Sequence, residues 1–456
     1  MRRILVSPDE PFSSVLKKIA SLAAPVVVVN LLYTVENTVS LLLVSSLSAS
    51  AVAAVGFSLS LLWFVYALMA LSYAGTNVLV AQRVGAGKDP GPVLAAGLTL
   101  SFLLSLPLFF KGRELLLTLM ELLGASETVR SLASAYLKPV FWFIPLGFLT
   151  NTFYGAYNGA GDTKTPMKVA VLMNAVHVLT AYALINGVWG LPRLGVEGAG
   201  WGVALSEATG FTAYLLLQLL LKKPFPVKPG LEKEVLLRML RVGSPTALER
   251  AVTTLSFNLF VGFLARLGDE VLAAHQIGLR VESFSFMLGF GVMVATTTLV
   301  GQNYGAKNYA GAVRAVRVSL LSGLLVMSLG GLLLFLFPEP VVKLFTREPR
   351  VVELASLYLR VVALSQPAMA LASIYAGALK GLGKTQIPLF VNTFSFWSFR
   401  ILPSWLLLKL YPSPLVPWGA MSVETWLRGL TYAYFFKREA RKLLAPTGKD
   451  PKQERP

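Results

Sequence analysis

The chain contains no cysteine, which excludes disulfides, thiolate metal sites and thiol catalysis. Histidine is almost as scarce. His177 and His275 are the only two, too few for a multi-histidine metal centre. Charge is thin as well: 14% of the 456 residues are charged against 55% hydrophobic, a balance that excludes ordinary soluble domains. Acids are the rarer sign, 23 against 41 lysines and arginines, for a net charge of +18. No metal cluster, nucleophile–base pairing or phosphate loop is visible. The run GAGDTK (159–164) has glycines but not the P-loop spacing, and it follows an apolar segment. Neither an enzyme nor a cofactor is expected.

What the chain does have is apolar length. Runs such as 19–35, 93–110, 312–336 and 401–410 carry few or no charges. Windows of about 19 residues read as about twelve membrane-crossing helices. They lie near 19–46, 52–81, 93–110, 133–158, 166–187 and 197–221, then near 241–267, 271–301, 312–336, 354–379, 387–410 and 415–437. The runs do not alternate, so a β-barrel is not expected. The fold class is an all-α membrane protein.

A charge of +18 on a soluble chain would suggest nucleic acid. Here 26 of the 41 basic residues fall in the two terminal segments and in every second loop, the pattern of the positive-inside rule. Both termini are therefore expected in the cytoplasm, in a multi-pass protein of the cytoplasmic (inner) membrane that binds no nucleic acid. The first helix follows a charged stretch without a small-residue cleavage site and reads as retained.

The sequence also repeats itself. Pro25 in AAPVV answers Pro245 in GSPTA, AVAAVGFSL (51–59) answers VLAAHQIGL (271–279), and LVAQRVGAGKD (79–89) answers LVGQNYGAKNY (299–309), all at a spacing of 220 residues. NGAGDTKTP (158–166) answers KGLGKTQIP (380–388) at a spacing of 222. Two six-helix lobes are expected, 19–221 and 241–437, related as parallel repeats about an axis along the membrane normal. Segments 1–18, 222–240 and 438–456 are then a cytoplasmic N-terminal segment, a linker and a tail; the polar tail after about 441 is expected to be disordered. Pro25 and Pro245 are expected in the first turns of helices 1 and 7, and Pro145 inside helix 4. Gly85, Gly87, Gly159, Gly161, Gly381 and Gly383 mark turns on the cytoplasmic side.

An ionisable group at mid-membrane costs about 2.5–3.5 kcal/mol even on the lenient insertion scale, so each one needs a reason. In helix 1, Asn30, Tyr33, Glu36, Asn37 and Ser40 share an arc of about 120°. Glu36 is thus a carboxyl on a polar stripe, either a cation or proton site or a packing group. In helix 7, Glu249, Thr253, Ser256 and Phe260 share about 60° of arc. Helix 8 aligns His275 and Glu282 two turns apart, with Gln276 and Arg280 on the flank; Arg280 is a candidate partner for Glu282. Asn174 and His177 share a face of helix 5, and Glu207 in helix 6 could complete a site with helix 1. Glu424 and Arg428 stand at i, i+4 and are expected to pair. Arg400 has no obvious partner.

These segments resemble the multidrug and toxic compound extrusion (MATE) family: LYTVENTVS (32–40), AAVGFS (53–58), YGAYNGAGDTKTPM (154–167), LPRLGVEGAG (191–200), AAHQIGLRVESFSFMLGFGV (273–292) and TTLVGQNYGAKN (297–308). The resemblance spans about 20–437. It implies a twelve-helix, two-lobed antiporter that exports organic, often cationic, compounds against inward Na⁺ or H⁺, works by alternating access and needs no cofactor; a monomer is expected. Many members carry an acid in a V-x-D-T pattern in helix 1. In this chain that pattern falls on Val35-Glu36-Asn37-Thr38, with Asn37 at the acid position and a glutamate one residue earlier. An asparagine and an aspartate often found in helix 5 fall on His177 and Ala181. Either Glu36 replaces the missing acids or coupling has moved to Glu249 and Glu282, and a Na⁺, where that is the ion, is expected near Glu36 or Glu249. The rivals are a flippase for a lipid-linked or amphipathic substrate and a passive channel. The near balance of intramembrane acids and bases speaks against an anionic head group.

Overall fold

A computed structural model describes residues 1–446, and among them the regular structure is entirely helical. The helices are α1 (Phe12–Ser45), α2 (Ala49–Gly85), α3 (Gly91–Leu122), α4 (Glu127–Trp142), α5 (Ile144–Ala160), α6 (Lys164–Asn186) and α7 (Val196–Leu221). The second half has α8 (Lys233–Ala265), α9 (Asp269–Gly305), α10 (Tyr309–Leu336), α11 (Pro338–Val342), α12 (Pro349–Ala363), α13 (Gln366–Gly381), α14 (Gln386–Ser395), α15 (Leu402–Leu408) and α16 (Leu415–Leu444). A π-helical segment, Phe396–Ile401, joins α14 to α15. Residues 447–456 of the expected tail lie outside the described residues, while 438–444 continue α16.

Among the described residues, seven helices are long and apolar enough to cross a membrane. Two bent pairs bring the number to nine: α4 with α5, bent by 55°, and α12 with α13, bent by 54°. Proline explains both bends. Pro145 and Pro367 stand in the first turn of the second member of each pair, where a missing N–H costs nothing, and the breaks fall on the N-cap residues Phe143 and Ser365. They are 222 residues apart, the register of the sequence repeat. Pro145 therefore starts a helix after a break instead of lying inside one. Pro25 and Pro245 differ from expectation in the opposite sense: α1 begins at Phe12 and α8 at Lys233, so both lie well inside helices.

The repeat is visible in the bonds. The Thr163 hydroxyl donates to Leu22 O at 2.9 Å, and Thr385 donates to Val242 O at 2.7 Å. At the end of the helices that carries the basic loops, α2 and α9 cross, and the glutamines of the two halves interlock. Gln82 Nε2 donates to Gly381 O at 3.1 Å, while Gln302 Nε2 donates to Gly159 O at 3.0 Å. Gly85 and Gly305 make the crossing possible. A Cβ on either would overlap the carbonyl oxygen of Gln302 or Gln82, so only glycine lets the two backbones meet. Of the expected turn glycines, Gly87, Gly161 and Gly383 adopt positive φ; Gly85, Gly159 and Gly381 instead permit close backbone contact.

The N-terminal segment lies across this crossing. Ile4 N donates to Gln302 Oε1 at 2.7 Å and Val6 N to Asn303 Oδ1 at 3.0 Å, and Asn308 Nδ2 returns a bond to Val6 O at 2.8 Å. The linker occupies the related place in the other half, where Arg238 donates to Gln82 Oε1 at 3.0 Å and Lys228 pairs with Asp89 at 2.6 Å.

Candidate functional site

Two polar centres sit among the apolar helices. In the first, α1 presents Glu36 and Ser40 one turn apart, and α6 presents His177 between them. His177 is fully buried. Its Nε2 shares a hydrogen bond of 3.2 Å with Ser40 Oγ, and its Nδ1 lies 3.3 Å from Glu36 Oε1 without a hydrogen bond of good geometry, so the ring sits between a hydroxyl and a carboxyl. The imidazole is held by close packing of α6 on α7: a Cβ on Gly202 would be 3.0 Å from the His177 ring and 2.7 Å from Ala181 Cβ. That packing also explains the alanine. Ala181 is fully buried against α7, with no room for a carboxylate without parting the helices. Asn174 ties α6 to α1 by donating to Leu32 O at 3.1 Å. Glu207 on α7 places its carboxyl against Gly147 of α5, 3.5 Å from where a Cβ on that glycine would stand. Asn37 is exposed and takes no part in these bonds.

The second centre is divided between two clusters. Near the interlocked glutamines, Glu249 on α8 is buried. Asn392 Nδ2 donates to its Oε1 at 2.7 Å, and Lys380 Nζ lies 3.3 Å from its Oε2. Tyr432 donates to Asn392 Oδ1 at 2.6 Å. Further along, Tyr358 donates to Glu282 Oε2 at 2.6 Å, and Ser285 donates to Gln366 at 2.7 Å. Arg280 is exposed, and tyrosine takes the place that sequence gave to it as partner of Glu282. His275 is two turns from Glu282 and accepts instead from Trp418 Nε1 at 3.2 Å. Arg400 finds its partner in Glu424, at 2.6 Å, and Arg428 approaches the other oxygen of Glu424 at 2.9 Å. The Phe396 ring lies 4.7 Å from both guanidinium carbons, a desolvated arrangement in which the two arginines and one carboxylate hold each other. Thr253 and Gln276 enter neither centre, and the Ser256 hydroxyl bonds its own helix at Val252 O.

Sequence reasoning missed Tyr358, Lys380, Asn392 and Tyr432. The repeat held one usable signal: Lys380 stands where Asn158 stands in the first half, and a charged residue in that register needs a counter-charge.

The family model MatE matches residues 25–183 and 245–406. This chain is a member of the MATE family, a family of transporters. The matched stretches begin at Pro25 and Pro245, 220 residues apart, in the register of the sequence repeat. Among its relatives is a Thermotoga maritima protein named "Probable multidrug resistance protein NorM", 31% identical over 94% of each chain. The multidrug resistance protein PmpM of Pseudomonas aeruginosa is 27% identical over 85% of this chain and 82% of its own. The fold agrees with a solved MATE transporter described as outward-facing, with a TM-score of 0.87 at 19% identity over 94% of this chain and 97% of that one. It agrees equally with a transporter from Pyrococcus furiosus, at 0.86 and 20% identity over 94% and 96%.

Proposed function

We propose that this MATE transporter is a multidrug efflux antiporter of the cytoplasmic membrane. It exports organic, often cationic, compounds in exchange for an inward ion, with twelve membrane crossings in two lobes (19–221 and 241–437) that alternate access. The basic loops and both termini face the cytoplasm, and the protein acts as a monomer. In this arrangement the interlocked glutamines close the cytoplasmic side. The observation that carries the coupling assignment is the Glu36–His177–Ser40 centre. A carboxyl beside an imidazole, with a hydroxyl beyond it, offers a proton successive acceptors, whereas Na⁺ favours a shell of oxygens. The coupling ion is accordingly H⁺, carried on Glu36, and Glu207 and Asn174 shape the site around it.

The test is efflux of a fluorescent organic cation from reconstituted vesicles under an imposed H⁺ or Na⁺ gradient. Acceleration by the H⁺ gradient alone, lost in Glu36→Gln at equal expression, is the expected result. Gradient-driven efflux retained by Glu36→Gln would overturn the assignment of Glu36, and acceleration by Na⁺ alone would overturn the choice of ion.

A further inference from the structure

Ile4 and Val6, ahead of α1, have both of their backbone groups bonded by side chains of the second half. Ile4 N donates to Gln302 Oε1 at 2.7 Å, and Ile4 O accepts from Asn303 Nδ2 at 3.3 Å. Val6 N donates to Asn303 Oδ1 at 3.0 Å, and Val6 O accepts from Asn308 Nδ2 at 2.8 Å. Alternate residues are therefore read along one edge, as a neighbouring strand would read them, but by three amide side chains. The side chains of the same two residues join one apolar cluster with Ile19, Leu22, Leu299 and Val318. Gly311 completes the groove, since a Cβ there would overlap Val6 O.

The repeat shows that segment and groove are matched. The linker lies in the equivalent groove of the other half. Pro226, 220 residues after Val6, puts its carbonyl oxygen 2.7 Å from where a Cβ on Gly91 would stand, and Gly91 is the repeat partner of Gly311. The counterparts of Ile4 and Val6 there are Pro224 and Pro226, which have no N–H to give. The groove differs accordingly. Arg83 and Lys88 stand in place of Asn303 and Asn308, and Gln82 Oε1 takes its bond from the Arg238 side chain. Amides that read backbone stand where the segment carries N–H groups and are replaced where it carries proline.

We propose that Gln302, Asn303 and Asn308 form a receptor for an extended peptide, filled by the chain's own residues 3–6, and that this strap latches the basic face shut. The strap touches both halves. Beyond its bonds to the second half, Arg3 donates to Gly85 O at 3.4 Å, and Ile4 Cδ1 lies 2.6 Å from where a Cβ on Gly161 would stand. Parting the halves has to break one set of contacts or the other. Glu10 fixes the far end of the strap: its carboxylate pairs with Lys18 at 2.7 Å, and its carbonyl accepts from Arg314 at 3.1 Å. The latching role rests on the reading that the halves part at this face; the peptide groove does not.

The test uses a variant lacking residues 2–9 and a fluorescent synthetic peptide of residues 1–10, followed by fluorescence anisotropy in detergent. The deletion variant should bind the peptide. The parent, whose own strap is tethered beside the groove at high effective concentration, should not. Asn303→Leu in the deletion variant removes the bonds to Ile4 O and Val6 N and should weaken binding by about tenfold or more. Methylating the Ile4 and Val6 nitrogens of the peptide should do the same. In a Thr298→Cys background, where the native hydroxyl bonds Asn158 O across the halves, saturating peptide should return maleimide labelling of the deletion variant to the parent's rate. If the deletion variant is not recovered folded, Gly311→Ala in the full chain should speed both amide hydrogen exchange in residues 1–10 and labelling at position 298. Absence of saturable binding, or binding unchanged by Asn303→Leu and by N-methylation, would overturn the groove. Binding that leaves labelling unchanged, or a folded Gly311→Ala protein that exchanges and labels as its parent does, would overturn the latch. Neither readout requires transport, so a failure of coupled efflux bears on the proposed function alone.

Discussion

Substituting Gly85 by alanine probes how the basic face is closed. The new methyl group would overlap Gln302 O, an atom of the backbone that cannot swing away, so α2 and α9 must part by about an ångström or more before the contact becomes tolerable. The interlocked amide bonds, 3.1 Å from Gln82 to Gly381 and 3.0 Å from Gln302 to Gly159, would then stretch beyond useful length. Each contributes about 0.5–1.5 kcal/mol net, and a buried amide left unsatisfied costs about 1–3 kcal/mol. The closed state should lose at least about 2 kcal/mol, roughly a thirtyfold shift towards an open basic face. Because the chain has no cysteine, a single introduced thiol reports without background. Thr298 suits the purpose: it is fully buried, and its hydroxyl donates to Asn158 O at 2.8 Å, across the two halves. In a Thr298→Cys parent, Gly85→Ala should raise the rate of labelling by a charged maleimide at least tenfold. Gly419→Ala, where nothing lies within 4 Å of the added carbon, should leave the rate unchanged. A folded Gly85→Ala protein labelled no faster than its parent would refute the reasoning.

Two further outcomes follow from the same structure. Glu424→Gln leaves the buried Arg400 and Arg428 without the carboxylate they share; the expected loss is about 3–5 kcal/mol, visible as a lower melting temperature, and Arg400→Met, which keeps the Glu424–Arg428 pair, should cost less. Deleting residues 2–9 removes the bonds from Ile4 and Val6 to Gln302 and Asn303, so thiol labelling at position 298 should accelerate in the same direction as Gly85→Ala, with efflux retained.

Much of this protein was legible in the chain alone. Apolar length set the helical membrane fold, because an unpaired backbone cannot remain in lipid. The 220-residue register set the repeat, which recurs in paired prolines, threonines and glutamines. The stripe on α1 singled out Glu36 and Ser40, since helical periodicity decides which side chains share a face. Glu424 with Arg428 was equally readable, because an i, i+4 pair needs only its own helix. Partners on different helices were not readable. His177 meets Glu36 across 141 positions of sequence, Lys380 meets Glu249 across 131, and Arg400 reaches Glu424 from a neighbouring helix through a π-helical turn that no period in the sequence announces. Which buried charge neutralises which is a matter of how helices cross, and glycines such as Gly85, Gly202 and Gly305 set those crossings through their contacts. Sequence determined which groups had to find partners; tertiary packing alone decided which partners they found.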